Sequence, residues 1–323
     1  LFVRDAERKK TFKYEHTVVT SGERIEKTLA KFKNTAKKNP DQTAFNFNEE
    51  HSALNGTTAN KVTIDYFTIN KPYFVYNEET GEYEYDWSKD AAAQRMLELS
   101  LEYGCIDTVV LFANSPHYSM TVSGQASGGF KDYESNLRKD CYDDFVDYFL
   151  DITEHFIEMG VPVKYISPIN EPQWAWGGSW VGQEGCHYEI PEVVELAKMF
   201  AAEIKERGLD VKLSMAESGQ VGDHAMDCAD LLMAEPEVAE VMGTYAYHSY
   251  WTSDLHLKKA FGDYLQKQYP LMDVEMSEWC ELPNEHKMDD HEAAMIMART
   301  ISEDVAFTGV NSWSSWVAVN DGL

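Results

Sequence analysis

From about residue 88 onward the chain alternates two kinds of hydrophobic pattern. "DWSKDAAAQRMLELSLEYG" opens with the cap-like residues Ser88 and Asp90, carries apolar residues at helical spacing and stops at Gly104. The short apolar run "DTVVLFANSP" follows and reads as a buried strand. The same alternation then repeats. "YDDFVDYFLDITEHFIEMG" is an amphipathic helix before the strand "VKYISPINEP", and "PEVVELAKMFAAEIKERG" is a helix before the strand "VKLSMAES". "HAMDCADLLMAEPEVAEVM" leads into "GTYAYHSYW", "LHLKKAFGDYLQKQYP" into "MDVEMSEW", and "HEAAMIMARTISEDVAFTG" into "VNSWSSWVAV". Six strands joined by helical crossovers predict a parallel sheet, and 323 residues favour an α/β protein closed as a (β/α)8 TIM barrel over an open doubly wound sheet.

The N-terminal part breaks this rhythm. Residues 1–45 hold eleven Lys or Arg against six Asp or Glu, a net of +5, so the rest carries −27 − 5, or −32. The expected division is an atypical segment over 1–45 and a barrel domain over 46–323. "TAFNFNEE" is a poor first strand, and residues 49–87 read as a long polar and aromatic loop. The barrel is therefore expected to be incomplete at its first two strands.

Composition narrows the function. A net charge of −27 argues against nucleic acid, which is held by Lys and Arg clusters. No apolar run approaches the ~18 residues of a membrane span. Five cysteines without a C-x-x-C pair predict neither a zinc site nor a disulfide framework. The glycine-rich stretches "GQASGG" and "WGGSWVGQEG" lack the phosphate-binding patterns, and no G-x-S-x-G elbow occurs. Neither a metal nor a cofactor is expected.

In such a barrel the carboxyl ends of the strands converge on one mouth. Collected there are Asn114 and Ser115, Asn170 and Glu171, Glu217 and Ser218, His248 and Tyr250, Glu278, Trp313 and Trp316. Two carboxylates at separate strand ends suit cleavage of a glycosidic bond: one must be protonated to release the sugar oxygen, the other ionised to attack or stabilise the sugar carbon. Glu171 in "PINEPQW" and Glu278 in "VEMSEWC" are the candidate pair. Asn170 can donate to a sugar 2-hydroxyl, and His248 and Tyr250, two apart on one strand, face the same side. Trp174, Trp176, Trp313 and Trp316 offer ring faces to sugar C–H faces.

The stretches "FANSPHYSMTVSGQASGG", "YISPINEPQWAW", "GQEGC", "YAYHSYW" and "VEMSEWC" together resemble glycoside hydrolase family 30, over roughly residues 45–323. "GQEGC" is similar to the branch that holds endo-β-1,6-galactanases. The resemblance implies that Glu171 is the acid/base and Glu278 the nucleophile of a retaining endo-acting β-glycosidase. It also implies that Asn170 holds the 2-hydroxyl, that His248 and Tyr250 line the site and that Trp316 forms its floor, while Asn114 and Ser115 are expected to bind substrate from their strand-end position. The implied substrate is a plant or microbial polysaccharide or oligosaccharide, acted on by a monomer that is secreted or at the cell surface. His117 stands where the family usually has a second proline, and the family's arginine on the second strand is not evident. A carbohydrate-binding derivative without turnover, and a glucuronoxylanase or β-1,6-glucanase of the same family, therefore stay open as alternatives.

Overall fold

The computed structural model describes residues 73–77, 79–104, 106–178, 183–281 and 291–316, with only the backbone of residue 82 and of three earlier strands. Strands β1 (Phe2–Asp5) and β2 (Lys10–Lys13) form an antiparallel pair. Strand β3 (Tyr66–Thr68) opens the main sheet, and β4 (Phe74–Asn77) with β5 (Glu82–Tyr85) makes a hairpin. There follow α1 (Ala91–Glu102), β6 (Val109–Phe112), α2 (Tyr142–Glu158), β7 (Val163–Ser167), α3 (Ile190–Arg207) and β8 (Lys212–Ser218). The chain continues through α4 (Asp223–Met233), α5 (Pro236–Val241), β9 (Met242–His248), α6 (Leu255–Gln268), β10 (Asp273–Glu278), α7 (His291–Glu303) and β11 (Ser312–Trp313).

The sheet has seven strands in the order β11-β10-β9-β8-β7-β6-β3, and every ladder in it is parallel. Strand order follows chain order with helical crossovers, which is the winding of a (β/α)8 barrel. Among the described residues the arc is open between β3 and β11. The six strands expected from the hydrophobic pattern are all present. Two expectations change: residues 49–87 contain β3 and the β4–β5 hairpin as well as loop, and β11 is only two residues long. The expected first strand "TAFNFNEE" and the boundary at residue 45 lie outside the described residues.

Local chemistry explains the elements. β6 is buried at all four positions, as a parallel strand covered on both faces requires. On α2, Phe145, Phe149, Ile152 and Phe156 recur at spacings of four, three and four, and all are buried. Phe145 and Phe149 meet Phe200 of α3 edge-on at 5.9 and 5.8 Å. A reciprocal cap between Glu189 and Glu192 starts α3, and Gly208, left-handed at φ 66°, ends it.

The hairpin docks through aromatic rings. Phe74, Tyr83, Tyr118 and Tyr148 surround His117, which is 3% exposed and whose pKa burial lowers to about 4. His117, where a second proline was the expected pattern, is thus a neutral core residue beneath the hairpin. Cys141, Cys186, Cys228 and Cys280 are buried free thiols. No helix among the described residues is long and apolar enough to cross a membrane.

Candidate active site

Strand β7 stops at Ser167, and Pro168 and Pro172 bracket Asn170 and Glu171 beyond it. Proline cannot donate to a ladder, so the chain leaves the sheet where these side chains emerge. Glu171 has φ 43°, a left-handed backbone unusual for a glutamate, and its N–H donates to the Glu217 carbonyl at 2.9 Å. Glu217 itself has φ 53° and sits at a register shift between β8 and β9. A second shift, between β10 and β9, falls beside Ser277. Bulges of this kind re-aim side chains next to active sites.

The result is three buried glutamates around one histidine. His248, fully buried, places Nδ1 3.0 Å from Glu171 Oε1 and Nε2 3.1 Å from Glu217 Oε2, with Glu278 Oε2 at 4.0 Å. Burial alone would lower the His248 pKa, but Glu278, Glu171 and Glu217 push it up to about 10. The ring is therefore an imidazolium at neutral pH, able to donate from both nitrogens. Glu217 also accepts from Ser167 Oγ at 2.7 Å and from Ser277 Oγ.

Glu171 and Glu278 are each only 6% exposed, and their environments differ. Burial raises the Glu171 pKa first of all; the hydrogen bond from His248 opposes this, and the Glu278 charge adds to it. Glu278 accepts a hydrogen bond from Tyr250 Oη at 3.2 Å on Oε1, while its other oxygen faces His248. Carboxyl oxygens of Glu171 and Glu278 and a His248 nitrogen all lie within 4.8 Å of one another. That separation belongs to the short class of carboxyl pairs, ~5 to 5.5 Å, and not to the ~6.5 to 9.5 Å class that leaves room for a water between them. The same three donors have ligand types that a metal ion can use, but both ring nitrogens of His248 already face carboxylates.

The remaining expected residues fall into two groups. Asn114, Ser115 and Asn170 are buried, and both side-chain amide atoms of Asn114, Ser115 Oγ and Asn170 Oδ1 lack a hydrogen-bond partner among the described residues. Buried polar atoms without partners mark places where water or a ligand completes the bonding. Trp174 is half-buried beside Glu171, and Trp316, also half-buried, donates its backbone N–H to Trp279 at 2.9 Å. Trp176 departs from expectation. Its ring is 4% exposed, lies against Gly185 and donates Nε1–H to the Glu171 carbonyl at 2.8 Å. It holds the Glu171 turn from below instead of walling a groove.

Glu217 was recognisable in the sequence as a strand-end residue but not as one of the site residues. Its position after β8, equivalent to that of Glu171 after β7, was the available signal. Gly219 carried no signal at all. A Cβ there would sit 2.6 Å from Glu171 Oε1, 2.4 Å from Trp174 Nε1 and 3.0 Å from Gln173 Nε2. Beneath the mouth, the buried Asp304 accepts from Lys258 Nζ at 2.8 Å, Ser249 Oγ at 2.7 Å and Trp313 Nε1 at 3.0 Å. This fixes the backbone between His248 and Tyr250.

A parallel (β/α)8-type sheet with paired glutamates beyond β7 and β10, and His, Tyr and Trp beside them, defines the class of glutamate-bearing barrels. Within it, the chain belongs to O-glycosyl hydrolase family 30, whose model matches residues 43–322. It is 28% identical over 126 residues to an endo-β-1,6-galactanase of Hypocrea rufa, covering 39% of this chain and 26% of that protein. It is 30% identical over 126 residues to an exo-β-1,6-galactobiohydrolase of Bifidobacterium longum, covering 38% of this chain and 8% of that protein. A conserved exported protein from Bacteroides fragilis shares its fold at a TM-score of 0.64 and 24% identity, over 76% of this chain and 55% of that one. A family 30 subfamily 8 xylanase from Clostridium acetobutylicum does so at 0.57 and 18%, over 84% and 66%.

Proposed function

We propose that this chain carries the catalytic barrel of a retaining, endo-acting β-glycoside hydrolase acting on β-1,6-linked galactan. The observation that carries the reading is the Glu171–Glu278 pair, with carboxyl oxygens within 4.8 Å in unlike surroundings. In the first step a Glu278 oxygen attacks the anomeric carbon, the glycosidic C–O bond breaks, and Glu171 gives its proton to the departing oxygen. A glycosyl ester on Glu278 results. Glu171, now a carboxylate, takes a proton from water as that water attacks the same carbon, and the ester bond breaks with net retention. Tyr250 orients Glu278, and Asn170 is placed to hold the sugar 2-hydroxyl. The alternative of a binding protein without turnover would sit better with carboxyls beyond about 7 Å.

The names of the two curated relatives favour galactan over glucan or glucuronoxylan. A polymeric substrate implies action outside the cell, in keeping with the exported description of one structural relative. The test is incubation with β-1,6-galactan, β-1,6-glucan and glucuronoxylan, following the first-formed product by proton NMR. Galacto-oligosaccharides should appear first as the β anomer; release of the α anomer first, or no release from any polymer, would reject the reading.

Gly219 gives a sharper geometric check. Gly219→Ala places a methyl against the Glu171 carboxyl, and displacement of a reacting group by about 1 Å can cost on the order of 10²-fold in rate. We expect kcat on galactan to fall by at least ~10-fold while the far-ultraviolet circular dichroism spectrum stays native. A kcat within twofold of the unsubstituted protein would mean that Glu171 does not need its observed position.

A further inference from the structure

Trp251 lies just beyond β9, and its ring is 65% exposed. Its backbone is left-handed at φ 51°, a conformation unfavourable for a bulky side chain. The residue is held there from both sides. Thr252 Oγ1 donates to the Tyr250 carbonyl at 3.0 Å and accepts from Val221 N–H at 3.2 Å. The Trp251 ring meets Trp174 edge-on, with centroids 5.2 Å apart at 85°, and Tyr250 at 5.5 Å. A strained, pinned backbone that keeps a large apolar ring in water calls for a partner outside the chain.

The surroundings indicate which partner. Trp174 and Gln173 belong to the loop that begins at Glu171; Trp174 turns its indole N–H toward the Glu171 carboxyl, and both Gln173 amide atoms are buried without hydrogen-bond partners among the described residues. Together they offer polar groups at the edge of an aromatic face, the combination that meets a pyranose: hydroxyls at the rim, C–H groups on the face. The glycosidic oxygen must reach Glu171, so the sugar that carries it away lies on the Glu171 side of the cleavage point. We infer that Trp251, set at a right angle to Trp174, is the stacking platform for the leaving-group sugar and is a specificity-determining residue for chain substrates. This inference rests on the hydrolase reading above.

The test compares two substrates of the unsubstituted protein and of Trp251→Ala and Trp251→Phe: β-1,6-galactotetraose, which fills the leaving-group side, and β-1,6-galactobiosyl fluoride, which does not. The ratio of kcat/KM for tetraose to that for fluoride should fall at least about fivefold in Trp251→Ala and recover in Trp251→Phe. An equal loss on both substrates would mark Trp251 as merely structural, and no loss on either would remove it from binding; both outcomes overturn the inference. If the unsubstituted protein cleaves neither probe, the hydrolase reading fails by itself. The platform is then judged by titrating tetraose against tryptophan fluorescence, where a Kd unchanged by Trp251→Ala overturns it.

Discussion

Glu278→Ala should lower kcat on β-1,6-galactan on the order of 10⁴-fold, the scale seen when a covalent nucleophile is removed and binding alone remains. The side chain sits at the end of β10 with one oxygen held by Tyr250 and the other facing His248, so on the proposed mechanism truncation removes the attacking atom. It also opens a space on the attacked face of the sugar. Added azide should enter that space and attack the anomeric carbon directly, giving the α-glycosyl azide by a single inversion. Glu171→Ala should behave differently. With an activated aryl glycoside, whose leaving group needs no proton, the glycosyl ester should still form and then accumulate, because no base activates water. Azide, which needs no base, should release that ester as the β-glycosyl azide. Product stereochemistry read by NMR separates the two glutamates where loss of rate alone does not. A β-azide from Glu278→Ala, or residual activity above about 1% in that variant, would reject its assignment as nucleophile.

The fold was legible because each crossover buries its own amphipathic face. Phe145, Phe149, Ile152 and Phe156 of α2 announce a helix, and the four apolar residues of β6 announce a doubly covered strand, without knowledge of any partner. Strand β3 and the β4–β5 hairpin were not legible. Phe74, Tyr83 and Tyr85 read as loop aromatics because their burial depends on His117 and Tyr148, far along the chain. The candidate pair was legible for a geometric reason: in this architecture strand ends converge, so a glutamate after β7 and another after β10 must approach each other. Trp176 was misjudged because its sequence neighbourhood is that of Trp174; only the close passage of Gly185 and the carbonyl of Glu171 turns one ring inward and leaves the other at the surface. Glu217 was legible only as a strand-end carboxylate, and Ser167 and Ser277 not at all, because their bonds run between strands and register shifts at β8 and β10 set their aim.

His248→Phe should both destabilise the protein and alter its pH profile, and the two effects come from different glutamates. Glu217 is fully buried, and His248 is the cation facing it. Removing one partner of a buried ion pair costs about 3 to 5 kcal/mol. Adding Glu217→Gln should restore much of this, since the amide keeps the shape and can still bond Ser167 and Ser277 without the charge. Glu171 responds in the opposite sense to its loss of His248. The histidine is the larger of two influences, with the Trp174 indole, that hold its pKa down against burial and the Glu278 charge, so Glu171 should stay protonated to higher pH and the alkaline limb of kcat/KM should move upward.

Linkage adds a signature in the unsubstituted protein. His248 titrates at about 10 when folded against 6.5 when free, so its contribution to stability is complete below about pH 6.5 and drains away as pH rises toward 10. The melting temperature should therefore fall more steeply between pH 7 and about 9.5 in the unsubstituted protein than in His248→Phe/Glu217→Gln. Thermal melts and pH–rate profiles on the three proteins check both halves. Equal stability of the single and double variants would show that Glu217 does not depend on His248 for its charge balance, and a downward shift of the alkaline limb would show that His248 does not oppose protonation of Glu171.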